Sequence, residues 1–408
     1  MATERVLFQG SGWGLESPLL LEHPGEVLRV EAGRPEGLEP LLERLDEVAA
    51  SGDGNRIGVG FLSYEAGVWL EGSRSLFRAP ERTPLAWFGF FDLARARALT
   101  TGSAPPASPF SAVTSTLEPA AWAAGVGAIR AAIEQGDVYQ VNLTRRMTVA
   151  GSVDPLTLAR SLAAENPVPY ALAIEAESFA IVSNSPELLL DFDAARGTLE
   201  SRPIKGTIAR GVDAPADSRA IDALLESAKD AAEHIMIVDL IRNDVGRCSR
   251  PGTVRVPRLR TLLTFRHLHH LESTITGETA AGTRLSHVLR AMLPGGSITG
   301  APKRASLRLV HSLEPCARGP YTGAVGFVRG DGRAVFNVPI RTAILSPGLI
   351  DYHAGGGIVW DSDAALEWTE SETKSREFHA VLAALDASEG TGAHGASTRT
   401  ETESEIRR

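Results

Sequence analysis

Cysteine is nearly absent from this chain: its 408 residues contain two, Cys248 and Cys316, far apart in the sequence. That is too few for a disulfide framework, and the spacing excludes a paired-cysteine metal site. No apolar run approaches the ~18 residues that span a bilayer. The opening MATERVLFQG has no basic-then-apolar signal pattern, so the expectation is a cytoplasmic protein without membrane association. Positive charge is in deficit, with 41 Lys+Arg against 50 Asp+Glu and a net charge of −9. Lacking a concentrated basic patch, such a chain is repelled by phosphate and is expected to bind no nucleic acid. What is present is ordinary: 43% hydrophobic and 22% charged residues, with a mean hydropathy of −0.04. That excludes disordered, collagen-like and coiled-coil classes. The length allows two or three domains, or one large composite one.

The first hundred residues read as strands and turns, in GEVLRVEAG, RIGVGFLSYEAG and PLAWFGFFDLA. GSAPPASPFSAV (102–113) reads as a linker, which divides a strand-rich part, 1–112, from a catalytic region, 113–385. Residues 386–408, polar and small, read as a disordered tail. Trp122, Val126, Ile129 and Ile133 predict a helix that stops at Gly136. DVYQVNLTRR then alternates as a strand, with Gln140, Asn142 and Thr144 on one face. A single long helical pattern covers Ser218–Asp244, with Ile235 on its apolar side. Pro302 opens another helix, Gly330-Asp331-Gly332 turns a hairpin, and DYHAGGGIVW is a strand before the last helix. Strand-rich segments broken by single long helices predict an α+β fold with largely antiparallel sheets.

Two acidic helix faces carry the first chemical signal. Asp230 and Glu233 are three residues apart, with Glu226 one turn earlier; Glu367, Glu370 and Lys374 share a face of the last helix. Like charges at such spacing destabilise a helix unless something offsets them. A hard divalent cation such as Mg²⁺ would do so, and so would two solvated faces with intrahelical Lys pairs. PGGSITGAPK (294–303) is a glycine-rich turn feeding a helix, but Ala301-Pro302 part Gly300 from Lys303, and a nucleotide loop needs them adjacent. AGGGIV (354–359) lets backbone approach a ligand, or is a tight turn. Lys205, between Ile204 and Gly206, is either a neutral nucleophilic amine of depressed pKa or a snorkelling surface lysine. Glu187 after Ser185-Pro186 is a carboxylic acid of raised pKa or an exposed turn residue. His267, His269 and His270 hint at zinc without any Cys/His partner motif.

The wording and order of the motifs say more than any one of them. GDVYQVNL, SNSPELLL, RPIKGT, AKDAAEHIMIVDLIRNDVGR, HHLEST, PGGSITGAPK, GPYTGAVGF, IRTAIL and AGGGIVWDSD together resemble the chorismate-utilising enzymes. The likeness is dense from about 120 to 378 and thinner before it. It implies two large, mostly antiparallel β-sheets in a sandwich flanked by helices, with the site between them. It implies Mg²⁺ on Glu233 and Glu370, with Asp230 and Glu367 acting through waters. Arg341, Tyr321, Lys374, Thr299, Gln140 and the backbone of Gly355, Gly356 and Gly357 match positions that bind the substrate, chorismate. His270 matches the family's active-site histidine and Glu187 its general acid.

Two positions separate the subfamilies. Members that add water carry a lysine base where this chain has Gln140, and glutamine cannot deprotonate water. Anthranilate synthases carry alanine where this chain has Lys205, whereas aminodeoxychorismate synthases carry lysine. The resemblance therefore implies amination of chorismate at C4 through a covalent lysine intermediate, in para-aminobenzoate and folate biosynthesis. The alternative is anthranilate synthase component I, or another chorismate-aminating enzyme of secondary metabolism. Neither cysteine has the context of a glutaminase nucleophile, so a separate glutamine amidotransferase subunit is expected to supply ammonia. The last helix departs from the family's Glu-x-Gln-Glu-Thr, reading Glu367-Trp368-Thr369-Glu370-Ser371, and Glu272 stands where an apolar residue is common.

Overall fold

A computed structural model describes residues 4–98 and 110–394. Most of the expected linker, and residues 395–408 of the expected tail, lie outside the described residues; the last helix runs Ala364–His394. Two ten-stranded sheets dominate, and every strand pairing in them is antiparallel. The first runs from edge to edge as Gly300–Ala301, Gln140–Ala150, Leu349–Ile358, Thr342–Ser346, Ala180–Ser185, Tyr170–Glu175, Arg5–Phe8, Leu19–Glu22 and Arg97–Ala98, with Thr114–Ser115 also on Gln140–Ala150. The second runs as Ile204–Ala209, Leu268–Glu278, Thr198–Arg202, Leu188–Asp193, Arg333–Asn337, Ala324–Arg329, Arg56–Leu62, Ala86–Asp92 and Glu26–Val30, with Arg255–Thr264 also on Leu268–Glu278. The fold is α+β, as the strand-rich pattern predicts.

The sheets face each other across one apolar layer. Phe8 from the first, with Trp13 from the turn after it, meets Phe327 from the second, the rings of Phe8 and Phe327 packing edge to face at 6.0 Å. Alternating strands place every second side chain in this layer, which is why Ile57, Val59 and Phe61 are fully buried. A second cluster seals the outer face of the first sheet under the helices Pro155–Glu165 and Ala364–His394. A third covers the outer face of the other sheet and the Pro119–Glu134 helix.

Three local expectations are corrected. The first hundred residues contain helices as well as strands: Leu38–Ala49, whose Leu38, Leu41, Leu42, Leu45 and Val48 are all buried at helical spacing, and Tyr64–Leu70, capped by Ser63. The long pattern over Ser218–Asp244 is two helices, Ala214–Glu226 and Ala228–Gly246, parted at Ser227. Ser227 is extended, and its Oγ accepts from Asp230 N–H at 3.1 Å, a cap that starts the second helix anew. Glu226 therefore lies on a different helix from Asp230 and Glu233. Ile235 is exposed, and Ile237, Val238, Ile241 and Val245 form the buried face instead. The expected tail is corrected as well, since the last helix continues through 386–394, whereas the hairpin between Ala324–Arg329 and Arg333–Asn337 falls where the pattern places it.

Candidate active site

Lys205 sits on the edge strand Ile204–Ala209. Gly206 follows it with φ +81°, a left-handed conformation open to glycine, and the register to Leu268–Glu278 shifts there. This bulge turns Lys205 inward, where its side chain is 15% exposed and its Nζ stands 3.2 Å from Glu233 Oε1. The expected depressed pKa is corrected. Burial does push the ammonium towards neutrality, but Glu233, Glu187 and Glu370 together outweigh it, so Lys205 is held charged, above its ordinary value. The surface-lysine reading also fails, because the side chain is mostly buried and its ammonium is paired with Glu233.

Glu187 is buried at the start of Leu188–Asp193 and is no exposed turn residue. Its Oε1 accepts from Ser297 Oγ at 2.8 Å, and Ile204 N–H also donates to it. Burial pushes the carboxyl up to about 7, against the opposing pull of Ser297 and Lys205. A carboxyl titrating there can deliver a proton near neutral pH. Glu272, opposite Ile204 on the next strand, adds a negative charge that favours the protonated form of Glu187.

His270 and Arg341 meet in a second part of the site. An Arg341 terminal nitrogen donates to His270 Nε2 at 3.0 Å, which requires that nitrogen to be an acceptor; Nδ1 then carries the proton and donates to Thr207 Oγ1 at 2.8 Å. Burial, and next the Arg341 charge, lower the His270 pKa to about 3, so the ring is neutral. The other terminal nitrogen of Arg341, Nη1, is buried without a partner. Such an orphan donor is what an anionic ligand satisfies. Tyr321 is buried and stacks on His353 at 4.9 Å. Thr299 is buried and accepts from Tyr64 OH at 3.3 Å.

Carboxylates of both acidic faces adjoin the strand Leu349–Ile358. A Cβ on Gly357 would lie 1.9 Å from Gln140 Nε2 and 3.0 Å from Glu233 Oε1; one on Gly356 would lie 3.3 Å from Glu367 Oε2 and 3.8 Å from Glu370 Oε1. Glycine at both positions leaves the space beside these carboxylates free of a side chain. Gln140 Nε2 donates to Glu233 Oε1 at 3.0 Å, while its own Oε1 is buried without a partner. Lys374 Nζ pairs with Glu370 at 2.6 Å and donates to Gly355 O at 2.8 Å. Ser362 Oγ donates to Glu367 at 2.6 Å. Asp230 lies in the first turn of its helix, its Cβ 3.7 Å from the position of a Gly206 Cβ. Among the described residues, no three His, Cys, Asp or Glu side chains are gathered closely enough to hold a metal as they stand. The donor chemistry nevertheless suits a hard divalent cation: carboxylate oxygens stand beside two glycines, and two ammonium groups now hold Glu233 and Glu370.

Other candidates are not brought together. His267 pairs with Glu165 at the surface and His269 with Asp217 at 2.9 Å, so the three histidines form no common site. Lys303 is committed to Asp244 at 2.9 Å. Both cysteine thiols are pushed up by burial, opposite to a reactive thiolate. The altered last-helix motif has a structural partner that sequence reasoning missed. Buried Arg145 stacks on Trp368 at 3.9 Å and donates to Ser371 Oγ at 3.1 Å, and Trp122 packs edge-on against Trp368 at 5.9 Å. Ser297 was also missed, although it lies inside PGGSITGAPK.

Comparison with known proteins points the same way. The model of the family "chorismate binding enzyme" matches residues 12–380. Anthranilate synthase component 1 of Saccharolobus solfataricus is 39% identical over 250 residues, covering 61% of this chain and 59% of that protein. Aminodeoxychorismate synthase component 1 of Salmonella typhimurium is 38% identical over 284 residues, covering 69% and 62%. The chain thus spans somewhat over half the length of these curated relatives. Among solved structures, anthranilate synthase component I of Streptococcus pneumoniae superposes with TM-score 0.71 at 25% identity, covering 91% of this chain and 89% of that one. The menaquinone-specific isochorismate synthase of Escherichia coli gives TM-score 0.73 at 16% identity, covering 93% and 88%, a likeness of fold alone.

Proposed function

Because the chain belongs to the chorismate-binding enzymes, we propose that it aminates chorismate at C4 to give 4-amino-4-deoxychorismate, with ammonia delivered by a glutamine amidotransferase partner. The observation that carries this reading is the enclosure of Lys205 between Glu187 and Glu233. An amine there can attack C2 of the ring while the C4 hydroxyl departs with a proton from Glu187. Ammonia then attacks C4, the C2–nitrogen bond breaks, and Lys205 is released. The pyruvyl ether is retained throughout.

Glu233 and Glu370, with Asp230 and Glu367 behind them, would hold Mg²⁺, which when bound supplies positive charge for the ring carboxylate. Committing Glu233 to a cation would weaken the strongest of the three carboxylate attractions that keep Lys205 protonated, leaving Glu187 and Glu370 against burial, and so would favour the neutral, nucleophilic amine. Arg341 Nη1 offers a donor to a substrate carboxylate, and neutral His270 holds the guanidinium in place. Gln140 is no base, and its amide offers orientation only.

Relatives named for anthranilate and for aminodeoxychorismate synthesis match at similar identity. The assay is therefore product identification: chorismate, Mg²⁺ and ammonium with the purified chain, followed by mass analysis. Aminodeoxychorismate supports the reading, whereas anthranilate with released pyruvate replaces it. Glutamine should serve only when an amidotransferase is added; glutamine-dependent turnover by the chain alone would remove the separate partner.

A further inference from the structure

We propose that Arg318 is a positioning residue whose guanidinium ties together three chain segments that build the site. Arg318 is 2% exposed and spends all five of its N–H donors. Nε and one Nη2 hydrogen go to the carboxylate of Glu314, at 2.8 and 2.7 Å. Nη1 donates to Ile298 O at 2.8 Å and to Thr322 Oγ1 at 3.4 Å; Nη2 donates to Asn142 O at 2.8 Å.

Each of these acceptors adjoins a site residue. Ile298 lies between Ser297, the donor to Glu187, and Thr299. Asn142 is in register with Gly357, which lies beside Glu233. Thr322 follows Tyr321 and has φ +59°, a conformation that a β-branched residue holds only when its surroundings impose it. Glu314 extends the link, accepting from both N–H and Oγ1 of Thr144, which is opposite Gly355. Tyr64 closes it: its ring lies under the guanidinium at 4.4 Å and its hydroxyl donates to Thr299. The guanidinium touches no group assigned to the chemistry, so its effect passes through these segments. Lysine could keep the pair with Glu314 but cannot supply a planar five-donor fork.

The kinetic half of the test rests on the amination reading; the exchange half does not. Wild type, Arg318→Lys and Tyr64→Phe are compared in steady-state amination of chorismate with ammonium, and in amide hydrogen exchange without substrate. Arg318→Lys is expected to lower kcat on the order of 100-fold while KM changes about threefold or less, the signature of misplaced reacting groups. Amides of residues 142–144 and 296–299 should exchange faster by a margin that the rest of the chain does not show. Tyr64→Phe, which removes a single hydroxyl, should speed exchange at Thr299 and lower kcat about tenfold; it keeps the proposal testable if Arg318→Lys does not fold. Exchange that is unchanged, or accelerated evenly over the whole chain, would overturn the assignment, as would a loss confined to KM. A wild-type protein making no aminodeoxychorismate refutes the amination reading alone, and exchange still decides Arg318.

Discussion

Lys205 Nζ lies 3.2 Å from Glu233 Oε1, so the proposed nucleophile is paired with the carboxylate proposed to hold the cation. One oxygen cannot serve both fully. Cation binding at Glu233 would therefore be coupled to release of the lysine from its ion pair.

The first consequence concerns Lys205→Ala. It should abolish aminodeoxychorismate formation and divert turnover towards anthranilate, read as pyruvate release and anthranilate fluorescence. Unchanged product identity, or full aminodeoxychorismate production, would show that no covalent lysine step operates.

Glu187→Gln should lower kcat on the order of 100- to 10,000-fold, the range for loss of a general acid. The pH profile carries the sign. The Glu187 pKa is raised to about 7, so the acid form is present below that pH and is lost as pH rises through it. Wild-type rate should accordingly fall on the alkaline side of about 7, and the variant should lack that limb. Ser297→Ala removes a donor to the charged form, so it should move the limb upwards.

Arg341→Met should raise KM for chorismate on the order of 10- to 100-fold, the loss of one or two charge-assisted hydrogen bonds. The His270 ring would lose its donor and much of the charge that depresses its pKa. Its titration, followed by NMR, should shift upwards.

Chelation by EDTA should stop amination and Mg²⁺ should restore it. Without substrate, Mg²⁺ at 100 times its dissociation constant should stabilise the fold by about 2.7 kcal/mol, read as a rise in Tm. Glu233→Gln and Glu370→Gln should each diminish that rise. A rise of the same size in both variants would place the cation elsewhere.

Trp368→Ala tests the last helix. It removes ring packing against Trp122 and the stacked Arg145, and should destabilise the fold by about 3 kcal/mol in thermal or denaturant unfolding. Ser371→Thr should keep the hydroxyl that accepts from Arg145 but adds a methyl at a fully buried position, so it should destabilise the fold by about 1–3 kcal/mol through overpacking.

Local chemistry was legible in the residues themselves. The alternation of Gln140–Ala150, the Pro119–Glu134 stripe and the Gly330–Gly332 hairpin follow from backbone geometry that a short window contains. The order of the motifs marked Lys205, Glu187, Glu233, Glu370 and Arg341 as one set. The helix break at Ser227 was readable in principle as a cap, yet continuous periodicity across it concealed the stop. Beyond that, tertiary structure decided. The charge of Lys205 depends on three carboxylates that reach it from separate parts of the chain, and the orphan nitrogen of Arg341 exists only once burial removes water. The five-donor fork of Arg318 joins residues far apart in the sequence, and the sum of such long-range electrostatic and hydrogen-bond contacts is set by distances in space that no spacing in the chain encodes.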